Sequence, residues 1–336
     1  MKKKTLNIII PVILLIICAL IGWYLGKKTT IFQNIFNIPI NRSNGNDANK
    51  EDKPVEIVKV SEYYNPIVPE GFKKVETDTA SWDLDENGNP KGWNNGLVIE
   101  DKDGNQFVWF PYNYNENHIS ENYNSKYCNS IKKYSGFYVG RYEAGLPENL
   151  QENLQNISPD TNDISGKPII RKGSIPWNFI NIKNALYNAE NMYNDSNSFY
   201  TTLIEGANRA DIYTWIYNTN KNLITRDFGN FADSDFYFTG LYSDDVGASY
   251  KYGENIHKTE NMILATGITE RNKLNNIYDF LGNVAETYVT RITEFNDTYG
   301  AYDKDYYSNT SDKYNESENH AWSSSKIGFR VGLYMK

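Results

Sequence analysis

An α+β fold with little regular secondary structure is what this sequence predicts, on three observations. Its apolar segments are short, alternate with polar residues and end at Gly, Asp or Asn, as strands do. Two segments, Asn181 to Tyr193 and Ala207 to Tyr217, place apolar residues at helical spacing. Long polar stretches without period separate these elements, which a compact domain tolerates only when the fold exists to carry loops.

At the N-terminus, Lys2-Lys3-Lys4 precede an apolar run from Leu6 to Leu25, broken by Asn7 and Pro11. Twenty helical residues rise roughly 30 Å, the thickness of a bilayer core. No small-residue cleavage site follows, and Leu15-Ile16-Ile17-Cys18 lacks the small residue that a lipidation site puts before its cysteine. Residues 1–28 therefore read as an uncleaved transmembrane anchor, with the N-terminus cytoplasmic and the remainder outside the cell membrane. Residues 29–62 read as a flexible stalk, because Asn41 to Glu56 holds too little apolar surface to offset the entropy of ordering. Residues 63–336 are then the folded body, with its first element near Ile67.

Within the body, Gly96-Leu97-Val98-Ile99-Glu100 and Gln106-Phe107-Val108-Trp109-Phe110 flank Asp103-Gly104, a hairpin signal. Gly136 to Glu143 alternates like a half-buried strand. Leu146 to Lys172 reads as a polar loop. Ile182, Ala185, Leu186, Ala189 and Met192 form the inner face of the first helix, and Ile212, Trp215 and Ile216 that of the second. Asn218 to Asn261 and Thr290 to Ser325 read as irregular, and Gly328 to Tyr334 as a final strand.

Composition excludes several function classes. A net charge of −8 argues against nucleic acid, whose phosphates need a basic surface. The two cysteines, Cys18 and Cys128, supply neither a disulfide framework nor a thiolate metal site, and His118, His257 and His320 are scattered. No Gly-x-Ser-x-Gly elbow or phosphate-binding Gly loop is present. The 27 tyrosines exceed what a core needs, and reflect either base composition or a surface built for contact.

The remaining chain is organised around Asn276-Ile277-Tyr278-Asp279-Phe280-Leu281-Gly282-Asn283-Val284-Ala285-Glu286-Thr287-Tyr288. Buried backbone polar groups must be paired, so this mixture of apolar and acidic residues calls for a tight turn, with Gly282 free to take positive φ. Two readings stand side by side: a hard, oxygen-seeking cation such as calcium between the carboxylates, or an Asx-turn with a charged cap and no metal.

That stretch, together with Gly96-Leu97-Val98-Ile99-Glu100-Asp101, Phe107-Val108-Trp109-Phe110-Pro111, Phe137-Tyr138-Val139-Gly140-Arg141-Tyr142-Glu143-Ala144 and Gly328-Phe329-Arg330-Val331, follows a familiar order. Over residues 67–336 the chain resembles the formylglycine-generating enzyme (sulfatase-modifying factor) superfamily, and most closely its membrane-anchored bacterial members. The resemblance implies a variant of the C-type-lectin-like fold: a small antiparallel sheet, two helices and long loops. It also implies structural calcium, held by the carboxylates of Asp279 and Glu286 and the carbonyls of Gly282 and Val284. The chain departs from the family in carrying Ala285 and Thr287 where two tryptophans are usual. The copper-binding cysteine pair that should precede the terminal Gly-Phe-Arg is also missing, since no cysteine lies between Tyr299 and Gly328. Soft Cu(I) requires such thiolates, so no copper is expected.

Function then divides three ways. A non-catalytic binding protein is favoured by Tyr299, Tyr302, Tyr306, Tyr307, Tyr314, His320 and Trp322, which stand among Asn, Asp and Ser in the mixture that paratopes use. Its ligand would be a glycan or a protein on the outer face. The alternatives are an enzyme on the same fold and a structural envelope protein; fold by itself does not choose among them.

Overall fold

In the computed structural model, residues 65–112, 125–151, 165–220, 229–231, 234–244, 249–259, 262–293, 296–302 and 325–336 are described. The segments read as anchor and stalk lie outside these residues. Among the described residues no helix is long and apolar enough to cross a membrane.

The first hairpins lie where composition places them. Strand β1 (Phe72–Val75) pairs with β2 (Val98–Asp101), which turns through Asp103-Gly104 into β3 (Gln106–Pro111). The turn is held by Asp101, whose Oδ1 accepts the backbone N–H of Asp103 at 2.9 Å and of Asn105 at 2.8 Å. Helix α1 (Ser125–Tyr134) leads into β4 (Gly136–Gly140), and a single helical turn, α2 (Glu148–Gln151), interrupts the expected polar loop. Helix α3 (Ile182–Glu190) starts at Asn181, whose side chain accepts the N–H of Asn184 as an N-cap. Strand β5 (Phe199–Leu203) and helix α4 (Gly206–Thr219) follow.

The two stretches expected to be irregular contain sheet. Strands β6 (Phe236–Ser243) and β7 (Lys251–Lys258) form a hairpin joined by β8 (Ile263–Leu264). After the short pair β9 (Lys273–Leu274) and β10 (Ile277–Tyr278) comes β11 (Ala285–Thr293), antiparallel to β12 (Asn296–Tyr302). The chain ends in β13 (Ile327–Phe329) and β14 (Val331–Met335). With mostly antiparallel sheets and four helices among the described residues, the class is α+β. Regular structure is richer than the two helices and small sheet expected.

The largest sheet runs β1-β2-β3-β4-β14-β5, so the last strand of the chain inserts between β4 and β5. The half-burial expected for Gly136 to Glu143 does not hold, because both faces of this sheet are covered and β4 is buried throughout. Leu97, Ile99, Phe107, Trp109, Tyr138 and Leu333 pack on one face with Ala185 and Ala189 of α3. Val98, Val108, Phe110, Phe137, Val139 and Tyr334 pack on the other with Ile212, Trp215 and Ile216 of α4. The period-two alternation thus sorts residues between two cores, not between core and water. The rings of Phe137, Tyr334 and Tyr200 stack across β4, β14 and β5 with centroids 4.8 and 5.6 Å apart.

Gly96, at φ +84°, lets the chain enter β2 under the neighbouring loop, where a Cβ would lie 1.9 Å from the Asn275 carbonyl oxygen. Gly96→Ala is expected to destabilise the fold by roughly 3 kcal/mol or more, combining backbone strain with overpacking. Urea denaturation of the variant against the parent measures it.

Candidate functional site

The stretch from Asn276 to Tyr288 folds as a tight corner because its sequence supplies residues that accept positive φ. Asn276 (62°), Asp279 (53°), Gly282 (86°) and Asn283 (62°) all adopt it, and Asn, Asp and Gly are the residues for which it is least strained. A Cβ at Gly282 would lie 2.8 Å from the Asn230 backbone. The corner is stitched to distant segments. Asn276 donates its carboxamide to the Gly96 carbonyl at 2.8 Å, and the Tyr278 N–H bonds to Arg141 O at 2.8 Å.

The two carboxylates named from sequence face different ways. Asp279 Oδ2 accepts the Gly267 N–H at 2.6 Å and the Thr266 hydroxyl at 3.1 Å, while Oδ1 accepts Asn272 Nδ2 at 2.8 Å. Glu286 Oε1 accepts Arg330 Nε at 2.6 Å, and Oε2 accepts Arg209 Nη1 at 2.8 Å. Both guanidinium groups are buried. The remaining Arg330 donors go to the carbonyls of Gly140 and Tyr278, each at 2.8 Å, and Arg209 Nη2 reaches Phe280 O at 3.5 Å. The Phe280 ring lies beneath both cations, 4.4 Å from Arg209 and 5.8 Å from Arg330.

Calcium needs six to eight converging oxygens. Here the Asp279 and Glu286 oxygens already accept protein donors, the guanidinium groups of Arg330 and Arg209 stand beside Glu286, and the turn carbonyls they engage are those of Tyr278 and Phe280, not the Gly282 and Val284 carbonyls implied for the ion. This donor set does not fit calcium. Among the described residues, no group of three or more His, Cys, Asp or Glu side chains could hold a metal.

Two residues that sequence reasoning did not assign complete the corner. Asn283 uses its whole hydrogen-bonding capacity: Oδ1 accepts Leu264 N–H and Asn230 Nδ2, while Nδ2 donates to Leu264 O and to Glu143 Oε2. Glu143, fully buried, also accepts the Val284 N–H through Oε1 at 3.1 Å. Burial pushes the Glu143 carboxyl well above the ordinary carboxylate range; nearby Asp279 and Glu286 add to the push and Arg330 opposes it. Burial raises Asp279 as well, against its hydrogen bonds and Arg330. The signal for this centre lies in Phe137 to Ala144 and in Gly328 to Val331, whose strand-like alternation by itself gives no role to Glu143 or Arg330.

Of the residues proposed for ligand contact, Tyr306, Tyr307, Tyr314, His320 and Trp322 lie outside the described residues. Tyr299 and Tyr302 fall on β12, which is described by its backbone alone.

A different aromatic surface emerges on the β6–β7 hairpin. Alternation along β6 sends Phe236, Phe238 and Tyr242 into a small core with Leu264 and turns Tyr237 and Thr239 the other way. On that outward face Tyr237 is 63% exposed and stacks on the cross-strand His257, with ring centroids 4.5 Å apart and planes 15° from parallel. The His257 imidazole is in turn hydrogen-bonded to the Asp235 carboxylate. Tyr252, opposite Leu241, is 64% exposed. Beneath, the Lys258 ammonium is buried and donates to the carbonyls of Phe231 and Ser234, which pins the hairpin.

An open pocket of about 540 Å³ lies beside the Asp101–Asn105 turn. On its wall Arg171 pairs with Glu148 and donates to the Asp103 carbonyl.

A scan against protein-family models, a search of curated proteins and a search of solved structures each return no match.

The raised Glu143 pKa sets a direction for pH dependence. Below its ordinary value of 4.5 the carboxyl is protonated in both folded and unfolded chains, and its contribution to stability is fully present. As pH rises, the unfolded chain releases that proton while the folded chain keeps it. Stability then falls by about 1.4 kcal/mol per pH unit until the folded pKa is passed. Denaturant melts across pH are expected to show this slope in the parent, and Glu143→Gln to lack its share of it.

Proposed function

We propose that the chain is a membrane-anchored, extracytoplasmic binding protein. A sulfatase-modifying-factor-like body of the C-type-lectin-like type would carry aromatic and polar surface to a glycan or protein ligand. Two features support the placement of the body. The order of motifs from Gly96 to Val331 resembles that of the superfamily, and the corner at Asp279 to Glu286 meets the terminal strand through Arg330.

The observation that carries the binding role is the Tyr237–His257 stack, with Tyr252 farther along the same hairpin. Large aromatic side chains held open to solvent on a rigid strand pair offer contact area at low entropic cost, and their flat faces suit sugar rings as well as protein anchors. The buried charges contribute elsewhere. They are engaged in closing the corner, which leaves recognition to the surface. The residues from Tyr299 to Trp322 remain a second candidate, on their sequence alone.

The test is saturable binding of the full chain to a panel of glycans and candidate proteins. Replacing Tyr237 and Tyr252 together by Ala is expected to weaken the Kd at least tenfold, about 1.4 kcal/mol, with an unchanged melting temperature. A second variant, with Tyr306, Tyr307 and Trp322 changed to Ala, asks whether the later segment contributes. Absence of saturable binding, or binding unaffected by both variants, would sink the proposal.

A further inference from the structure

We infer that the corner of this body is closed by guanidinium groups where the resemblance implies a calcium ion, and that the body folds without metal. A structural calcium works by collecting oxygens from separate chain segments around one positive charge. Arg330 collects that kind of set. Its three nitrogens reach the Glu286 carboxylate on β11, the Gly140 carbonyl at the end of β4 and the Tyr278 carbonyl on β10. Arg209, from α4, takes the other Glu286 oxygen and the Phe280 carbonyl.

The substitution is geometric as well as electrostatic. The planar fork of arginine matches one carboxylate and two carbonyls in fixed directions, and its charge persists at every pH the protein meets. Both arginines are almost fully buried, as is Glu286 at 3% exposure, so neither cation is a solvated neighbour that could swing aside to admit an ion. Asp279, the second carboxylate implied for the metal, is turned away toward Thr266, Gly267 and Asn272. A divalent ion entering beside Glu286 would have to displace one guanidinium and would be repelled by the other.

Thermal melts of the full chain in calcium and in excess chelator test this directly. The melting temperature is expected to agree within about 1 °C, whereas a site filled at a hundred times its Kd would raise it by roughly 5–10 °C. A fall in chelator that added calcium restores would overturn the inference. Two variants separate the parts. Arg330→Lys keeps the charge but loses the fork, and is expected to lower the melting temperature by more than about 5 °C; a melt equal to the parent would overturn the geometric role. Glu286→Gln is expected to melt low to the same extent with and without calcium, and rescue by calcium would again overturn the inference.

Discussion

The arrangement depends on one buried interaction, the Arg330–Glu286–Arg209 triad. Arg330 occupies the residue between β13 and β14, where the chain leaves a parallel pairing with β11 and enters the middle of the large sheet. Its guanidinium therefore fixes the point at which the chain passes from one sheet to the other. Glu286 sits at the start of β11 and Arg209 in the first turns of α4, so three elements meet on a single carboxylate. Buried ion pairs add little net stability compared with an apolar replacement, but loss of one partner leaves an uncompensated charge and costs roughly 3–5 kcal/mol. The triad is thus best understood as a specifier of one arrangement, since other packings of these strands would strand its charges.

The sheet supplies the apolar counterpart. Strand β14 pairs with β4 and β5, and all five of its residues are buried. The centre of the body is therefore unfinished until the C-terminal residues arrive, and its pairings are non-local, with the loop entropy that such contacts must overcome. The corner reduces that difficulty. Asn283 and Glu143 hold the turn against the end of the β4 segment, and Asn276 holds it against the entry to β2. Each uses side-chain amides or carboxyls to satisfy backbone groups that a loop buried at this depth would otherwise leave unpaired.

A centre closed in this way leaves the exposed aromatic rings elsewhere, on the β6–β7 hairpin. The β6–β7 hairpin has a small core of Phe236, Phe238, Tyr242 and Leu264 and joins the larger core through Leu241 and the adjoining Tyr250 and Ile263, while Tyr237 and Tyr252 stay exposed. Solvent-facing rings on such a support are held by cross-strand stacking and by the bulge at Phe238 to Gly240, not by burial.

Local chemistry was enough to place several elements from sequence. The helix after Asn181, the Asp103-Gly104 hairpin and the turn at Gly282 follow from turn residues and periodicity, which act over a few residues, whereas the second apolar core over the sheet does not. The β6–β7 hairpin was not legible, because Phe-Tyr-Phe and Lys-Tyr-Gly-Glu-Asn place aromatic or polar residues on both faces and conceal the alternation. Nor was the β11–β12 pair, whose strands carry polar residues in both registers and so lack an apolar face to reveal the period. The need for a positive partner at the corner was evident from two acidic residues beside a glycine turn. Which cation meets it was decided only in three dimensions, because Arg330 and Arg209 lie 44 and 77 residues from Glu286 and nothing in local spacing brings them to it.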